Sequence, residues 1–265
     1  MGRRTLAFFA LALTLVAAGA QAAGAYRVPR TPDGQPDLQG VWNTNFILPL
    51  EAPATGAPPL VLPEPEAMAY ARALAAGVRA LKALEQDPEV ASLSYSAEKI
   101  GLGVVNGQRR TRQIVQPADG RLPVTPTTRG RINFIETTLR ISTEAPFPTD
   151  GPEQRPNWER CVVGQGQPPI AIVTEINPRQ ILQTRDAVVI LSEYGPDLRI
   201  IPFAVKHSTD LARSSPLGDA IARWEGDTLV IETTGLPARD AIRPLPTLLV
   251  RTTATVIERY TRVSD

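Results

Sequence analysis

The chain has 265 residues, and its 28 Lys and Arg residues nearly balance its 27 Asp and Glu residues, which leaves a formal charge of +1. This balance, without a basic block, gives no electrostatic basis for binding nucleic acid or an anionic membrane surface. The single cysteine, Cys161, and the single histidine, His207, exclude an internal disulfide and a zinc or copper site of the usual nitrogen and sulfur type. We therefore predict no metal and no cofactor.

Residues 1–22 have the pattern of a secretory signal peptide. Two arginines precede an apolar run from Leu6 to Ala18, and Ala20 and Ala22 then supply the small residues of a cleavage site. The run is too short for a membrane span, so we predict no transmembrane segment and a periplasmic or extracellular location. The Sec route fits this start, and the paired arginines leave twin-arginine export as the alternative.

Residues 23–65 are predicted to form a proline-rich extended arm. Proline fixes φ and lacks an N–H donor, so such an arm wraps a surface rather than pairing inside a sheet. Trp42 is a predicted hydrophobic anchor for this arm. Residues 66–178 are predicted to be a helical and irregular segment packed on the rest of the protein. Within it, apolar residues recur at three- and four-residue steps from Met68 to Leu81, which predicts one amphipathic helix that ends before Pro88.

Residues 124–141 fit two structures. Thr125 followed by Pro126 is typical of a helix N-cap and first helical residue. The apolar residues farther along, such as Phe134 and Ile141, have β-branched neighbours that favour a strand. Periodicity alone does not decide between the two.

Residues 179–265, which we call the β body, are predicted to form an antiparallel sheet. Short polar or glycine-containing turns separate most of its β-rich runs, and no helical pattern of useful length lies between them. The predicted fold class is therefore mainly β: an antiparallel meander that forms a barrel or a strongly curved sheet, with one or two N-terminal helices and proline-rich arms. The runs are RQILQT, AVVILSEY, LRIIPF, AIARWEG, DTLVIETT and TLLVRTTATVIERYTRV.

Several segments occur in an order typical of one protein family. They are PDLQGVW (36–42), PADGRLP (117–123), RPNWERC (155–161), QILQTRDAVVILSE (180–193), DLRIIP (197–202), GDAIARWEGDTLVIETTG (218–235) and ERYTRV (258–263). In these segments the chain resembles a large family of secreted bacterial proteins that has no established activity. The resemblance implies a β-rich, lipocalin-like body, a helix after PADGRLP and a histidine at about the place of His207. Relatives usually continue past ERYTRV, so closure of a barrel stays open.

The hairpin at residues 218–235 carries three of the four candidate ligand-binding residues. Strand alternation places Trp224 on one face and Arg223 on the other. One interpretation packs Trp224 in the core and leaves the charges in water. The alternative makes Trp224 the wall of a cavity, with Arg223 or Glu232 at its mouth. Arg199, in the LRIIPF run, is the fourth candidate.

His207 is the candidate for acid–base chemistry, because imidazole is the side chain whose charge changes near neutral pH. Asp219 or Glu193 is its predicted partner, and a nearby serine is the candidate nucleophile. No catalytic motif selects a triad, so a solvated loop histidine is the alternative. Glu193 also fits a cross-strand ion pair with Arg199 or Arg179.

Three function classes follow from these patterns. The first is a secreted binding protein that holds a small, largely apolar molecule. The second is a hydrolase or isomerase that uses His207 with a carboxylate. The third is an envelope scaffold that docks a partner through its proline-rich arms. The glycine-containing loop GQGQPP (164–169) follows no predicted strand and opens no helix, so phosphate binding is not predicted there. The oligomeric state is not predicted either.

Overall fold

The structure is a computed structural model. It describes residues 26–44, 46–82, 101–141, 162–164, 166–170, 172, 178–193, 197–208, 215–236, 243–244, 247–248 and 251–265. The predicted signal peptide, Cys161 and the predicted helix end before Pro88 lie outside these residues.

Within the described ranges the protein is mainly β with antiparallel sheets, as predicted. The helices are α1 (Glu64–Lys82) and α2 (Pro126–Ile141). The strands are β1 (Gly40–Trp42), β2 (Phe46–Ile47), β3 (Val61–Leu62), β4 (Gly101–Leu102), β5 (Val104–Val105), β6 (Gln108–Arg110), β7 (Arg179–Gln183), β8 (Ala187–Ser192), β9 (Asp197–Pro202), β10 (Asp219–Glu225), β11 (Thr228–Thr234), β12 (Arg243–Pro244), β13 (Thr247–Leu248) and β14 (Val256–Thr261).

Helix α1 confirms the helix predicted from the apolar periodicity. Its buried stripe consists of small residues, since Ala67 and Ala71 pack with Leu62 of β3 and Leu102 of β4 in a small separate core. Strands β3, β6 and β5 form a three-stranded sheet there, and β2 pairs with β4 in parallel. In the part of the chain that the structure describes, neither helix is long and apolar enough to cross a bilayer.

Helix α2 settles the ambiguous segment in favour of a helix. It begins at Pro126, and the N–H of Thr128 donates to Oγ1 of Thr125 at 3.3 Å, which is the predicted N-cap arrangement. Arg129 in its first turn pairs with Glu51 of the arm at 2.7 Å. Burial acts to raise the pKa of Glu51, but hydrogen bonds from Arg129 and the N–H of Leu122, with the charges of Arg129 and Arg121, outweigh it and hold that pKa below its usual value. The arm is thereby tied to α2.

Two antiparallel sheets make up the β body. The first has the order β1-β7-β8-β9, and the second has the order β10-β11-β14. Strand β1 comes from the proline-rich arm and pairs at the edge of β7, so the arm stays out of the sheet interior as its prolines require. A single parallel bridge between Phe203 and Ala222 connects the end of β9 to β10.

One predicted strand is wrong. The run from residue 247 to 263 is not continuous, because Thr247–Leu248 and Val256–Thr261 are separate strands. A turn lies between them, in which the N–H of Ala254 donates to the carbonyl of Arg251 at 2.9 Å. Strand β13 pairs with β12 instead of joining the second sheet. β propensity in the run did not reveal the turn, since threonine and arginine are acceptable in both states.

Alternate residues of both sheets face one shared core, and we call this side of the β body its inner face. Trp224, Phe203 and Tyr260 are partly buried and pack against this core, so Trp224 lies on the inner face. Full burial of a large aliphatic side chain stabilises a fold by about 1.5–3 kcal/mol, which makes this core the main source of stability for the β body. Its buried members are Leu38, Ile181, Val188, Ile190, Ile201, Ala222, Leu229 and Ile231.

Leu38, not Trp42, is the buried anchor of the arm. Leu38 is 2% exposed within the core, whereas Trp42 is 37% exposed. The N–H of Leu38 donates to Oε1 of Gln183 at 2.6 Å, which fixes the arm on β7. Trp42 instead lies under the guanidinium of Arg262, 5.7 Å from the ring centroid, and donates from Nε1 to the carbonyl of Leu38. A cation over the indole keeps that ring at the surface.

The outer face of the first sheet is apolar and exposed. Leu182 and Ile200 flank Val189 in register, and all three lie on this face. Leu198 and Ile200 are 52% and 66% exposed. Such a surface is what a partner-docking function requires, and that function stays a prediction.

Candidate functional site

Charged and polar side chains gather at one end of the inner face. Arg179 of β7, Ser192 of β8 and Asp197 of β9 are register neighbours, and Arg199 follows one pleat along β9. Asp197 and Arg199 are buried on the same side of β9 as Ile201. We call these residues, together with Thr233, Glu258 and Tyr260 on the second sheet, the polar end.

A buried ion pair links the two sheets at the polar end. Nη2 of Arg199 lies 2.7 Å from Oε2 of Glu258, and the two side chains are 2% and 7% exposed. The same nitrogen also donates to Oγ1 of Thr233 at 3.3 Å. The other carboxylate oxygen, Oε1, accepts from the N–H of Ile170 at 3.2 Å and from the hydroxyl of Tyr260 at 3.1 Å. Both oxygens of Glu258 are therefore engaged.

The surroundings shift the pKa values of two neighbouring groups. Burial, and then the negative charge of Glu258, raise the pKa of Tyr260, so its phenol stays neutral and donates to Glu258. Burial lowers the pKa of Arg179, although electrostatic interactions with Tyr260 and Glu258 act in the opposite direction. Desolvation thus disfavours the charged form of Arg179 at this end of the interior.

The GQGQPP loop binds an internal carboxylate. The N–H of Gly164 donates to both oxygens of Asp197 at 2.9 and 2.8 Å, and the N–H of Gly166 donates to Oδ2 at 2.7 Å. Burial raises the pKa of Asp197, and these backbone bonds only partly offset it. The loop is close enough that a Cβ on Gly166 would lie 2.6 Å from Cβ of Asp197. Its amides therefore hold a side chain of the chain itself.

Several buried polar atoms of the inner face have no hydrogen-bond partner among the described residues. They are Nε and Nη1 of Arg199, Oγ of Ser192 and Nε1 of Trp224. Buried polar groups in native proteins are almost always hydrogen-bonded, so each such atom needs an explanation. An unmet donor in an interior costs about 1–3 kcal/mol. The interior thus has donors that the described protein groups leave unused.

His207 lies on the opposite, outer face of the second sheet. Its Nδ1 is 2.9 Å from Oδ2 of Asp219, and its Nε2 is 3.3 Å from Oε1 of Glu232. The N–H of Ser208 donates to the same oxygen of Asp219 at 2.9 Å. The structure therefore brings His207 together with Asp219, its predicted partner, and with Glu232, which was predicted to bind a ligand.

The histidine arrangement differs from a catalytic triad in two ways. Ionised carboxylates only accept hydrogen bonds, so His207 bonds to both partners only when both ring nitrogens carry hydrogen. When both ring nitrogens carry hydrogen, neither can accept a proton from a substrate. The side chains of His207 and Asp219 are also 23% and 33% exposed, so the pair is not sealed from water. Among the described residues, no group of three or more His, Cys, Asp or Glu has the arrangement of a metal site.

Glu193 is not part of either cluster. It is exposed just after β8, and its N–H donates to the carbonyl of Pro178. The predicted ion pair between Glu193 and Arg199 is wrong, because Arg199 points to the inner face and pairs there with Glu258. Side chains alternate in direction along a strand. Because Ser192 at the end of β8 faces inward, the adjacent Glu193 does not.

The prediction that Arg223 or Glu232 lies at the mouth of a cavity walled by Trp224 is also wrong. Ala222 and Trp224 face inward, whereas Arg223 and Glu232 project from the outer face, as strand alternation requires. Arg223 is exposed and pairs with Glu225 at 2.7 Å, with Glu232 3.9 Å away. Of the four candidate ligand-binding residues, only Trp224 and Arg199 share the inner face.

Comparison of the chain with family models, curated proteins and solved structures gives no match, so the functional argument depends on the residues themselves. Sequence reasoning did not group Glu258, Ser192 and Asp197 into one site. A signal for Asp197 exists in the strand pattern, because it shares one parity of β9 with Arg199. Glu258 joins them only through pairing with a distant strand.

Proposed function

We propose that the β body binds a small, largely apolar molecule on its inner face, within a barrel or strongly curved sheet formed by the two antiparallel sheets. We also propose that it does so after export, in the periplasm or outside the cell. The motif resemblance to a secreted, lipocalin-like family supports the second proposal. The contacts of the inner face support the first.

The single observation that carries this proposal is which face of β9 is buried. This strand buries Asp197 and Arg199 and exposes Leu198 and Ile200. A slip of one residue would exchange the two faces and bury the aliphatic side chains instead. Burial of apolar area alone favours that other register, so the charged inner face has a cost in stability. Positions that break a folding rule at such a cost are expected at functional sites.

The apolar part of the inner face supplies a surface for the rest of the ligand. Phe203 and Trp224 lie next to each other with ring centroids 6.2 Å apart and planes tilted by 31°. Nε1 of Trp224 is buried and has no partner among the described residues. An indole with an unused donor is suited to a ligand that is mainly apolar and carries some polar atoms.

The two sheets approach each other on both sides of this interior. The Phe203–Ala222 bridge joins β9 to β10 on one side. On the other, Arg262, just after β14, donates to the carbonyl of Asp37 at 3.3 Å. These contacts support an enclosed interior for a ligand.

Ligand binding is tested with the full protein secreted by its own export signal. Native mass spectrometry of the purified protein, followed by a thermal-shift screen against a mixed metabolite library, is expected to identify a bound small molecule. A ligand present at 100 times its dissociation constant stabilises the native state by about 2.7 kcal/mol. Trp224→Leu is expected to weaken binding by at least about tenfold, because it removes the indole that faces the ligand.

Trp42→Leu is the matched control, since Trp42 lies on the surface and is expected to leave the affinity unchanged. If the protein carries no ligand and no compound raises its melting temperature, the binding proposal is wrong. Equal loss of affinity in both tryptophan variants would place the ligand away from the inner face.

A second candidate function is acid–base hydrolysis at His207, favoured by its 2.9 Å contact with Asp219. On this mechanism a substrate displaces Glu232 from Nε2, and Asp219 orients the ring. With 4-nitrophenyl acetate as substrate, His207→Gln is then expected to lower kcat/KM by at least about 100-fold, the usual contribution of a general base. Stopped-flow release of 4-nitrophenolate measures the rate.

Glu225→Gln is the control for this test, because Glu225 is an exposed carboxylate on the same outer face that does not contact His207. Turnover that is absent, or equal in wild type and His207→Gln, removes His207 from any catalytic role. His207 then serves to fasten residues 204–208 to the second sheet.

A further inference from the structure

The unused polar atoms of the inner face are all hydrogen-bond donors. Nε and Nη1 of Arg199 and Nε1 of Trp224 only donate, and the hydroxyl of Ser192 donates as well as accepts. None of these atoms has a partner among the described residues. What the interior lacks is therefore acceptors, not donors.

The protein's own acceptors at the polar end are already engaged. Glu258 accepts from Arg199 at Oε2 and from Ile170 and Tyr260 at Oε1. Asp197 accepts from the glycine loop at both oxygens. Neither carboxylate bonds to Nε or Nη1 of Arg199.

The charge on Arg199 points in the same direction. Glu258 contacts only Nη2 of this guanidinium, and Nε and Nη1 have no acceptor among the described residues. The phenol of Tyr260 is neutral, and both oxygens of Asp197 accept from the glycine loop. Positive charge in a desolvated site is stabilised by an anion that comes with the ligand.

Resting on the proposed function, we infer that the ligand carries an anionic head group of acceptor oxygens, such as a carboxylate, which binds Arg199 and Ser192 at the polar end while its apolar part lies toward Trp224 and Phe203. Nε and Nη1 are on different edges of the guanidinium, so one carboxylate bonds to one of them. Ser192 pairs in register with Asp197, two residues before Arg199 on β9, and its hydroxyl adds a second bond.

The head group is tested with two series of probes that share a tail and differ in charge. The first is octanoate, 1-octanol and octylammonium. The second is 2-naphthoate, 2-naphthalenemethanol and 2-naphthylmethylammonium. Isothermal titration calorimetry of the full protein is expected to show that at least one acid binds tenfold or more tightly than its own alcohol, because an ionised acceptor forms a charge-assisted hydrogen bond with the guanidinium. Its amine is expected not to bind.

Variants locate the head group. Ser192→Ala removes a hydroxyl that has no partner among the described residues, so the fold is retained, and the affinity for the acid is expected to fall about two- to tenfold. The charge-neutral double variant Arg199→Met/Glu258→Gln is expected to reduce acid binding to the level of the alcohol. Neither variant is expected to change binding of the alcohol. Arg223→Met, on the outer face, is the matched control.

The outcomes separate this inference from the proposed function. If acid, alcohol and amine bind equally well, the anionic head group is wrong while binding itself stands. If neither acid binds more tightly than its analogues, or the double variant binds the acid as well as wild type, the inference is overturned. A crystal structure with the acid present that shows only water or protein groups on Nε and Nη1 of Arg199 also overturns it. Failure of the proposed function is instead an absence of any ligand in the metabolite screen.

Discussion

Replacing Arg199 with methionine is expected to lower the free energy of unfolding by about 3–5 kcal/mol. The change removes the guanidinium that lies 2.7 Å from Glu258, whose side chain is only 7% exposed. Glu258 keeps its bonds from Ile170 and Tyr260 but becomes a buried charge that has lost its ion-pair partner. Methionine fills about the same volume, so a cavity contributes little to the loss. Urea unfolding followed by circular dichroism measures the effect.

Two further variants serve as comparisons for Arg199→Met. Adding Glu258→Gln to Arg199→Met removes the buried charge and is expected to recover most of the lost stability, because neutral buried groups are much less costly. Arg223→Met removes an exposed arginine from the outer face of the second sheet and is expected to change stability by less than about 1 kcal/mol. If Arg199→Met is as mild as Arg223→Met, the buried ion pair does not hold the sheets together.

Gly166→Ala is expected to destabilise the protein by about 3 kcal/mol. The new Cβ would lie 2.6 Å from Cβ of Asp197 and 3.1 Å from Oγ of Ser192, so the loop must move away. That movement lengthens the bonds from the amides of Gly164 and Gly166 to the Asp197 carboxylate. Overpacking costs about 1–3 kcal/mol, and a hydrogen bond to a charged group contributes about 1.5–3 kcal/mol. Thermal and urea unfolding both measure the change.

Gly130→Ala is the matched glycine control. Gly130 lies within α2, and a Cβ there meets open space. Alanine is a better helix former than glycine, so this variant is expected to stabilise the protein by about 0.5–1 kcal/mol. Equal effects of the two substitutions would show that the loop at Gly166 can shift without losing Asp197.

The local elements were predictable because their signals are local. Helix α1 follows from apolar periodicity, and the start of α2 follows from Thr125 and Pro126. The hairpin of β10 and β11 follows from alternation around a Gly-Asp turn, and the same parity separates Trp224 from Arg223. The contact between His207 and Asp219 was also predicted, although the second carboxylate on the ring was not.

The polar end required the tertiary structure. Sequence alternation shows that Asp197 and Arg199 share one side of β9 and that Leu198 and Ile200 share the other, but hydrophobicity alone assigns the wrong side to the core. The pairing of β14 with β11 brings Glu258 to Arg199 across 59 positions of the chain.

By itself, then, the sequence determined helix α1, the β character of the β body and which side chains of a strand share a face, because these depend on neighbours within a few positions. Only the tertiary structure decided which face is buried and which charges meet. Those outcomes depend on contacts between distant strands and on the cost of removing charge from water, and neither quantity is carried by any short stretch of the chain.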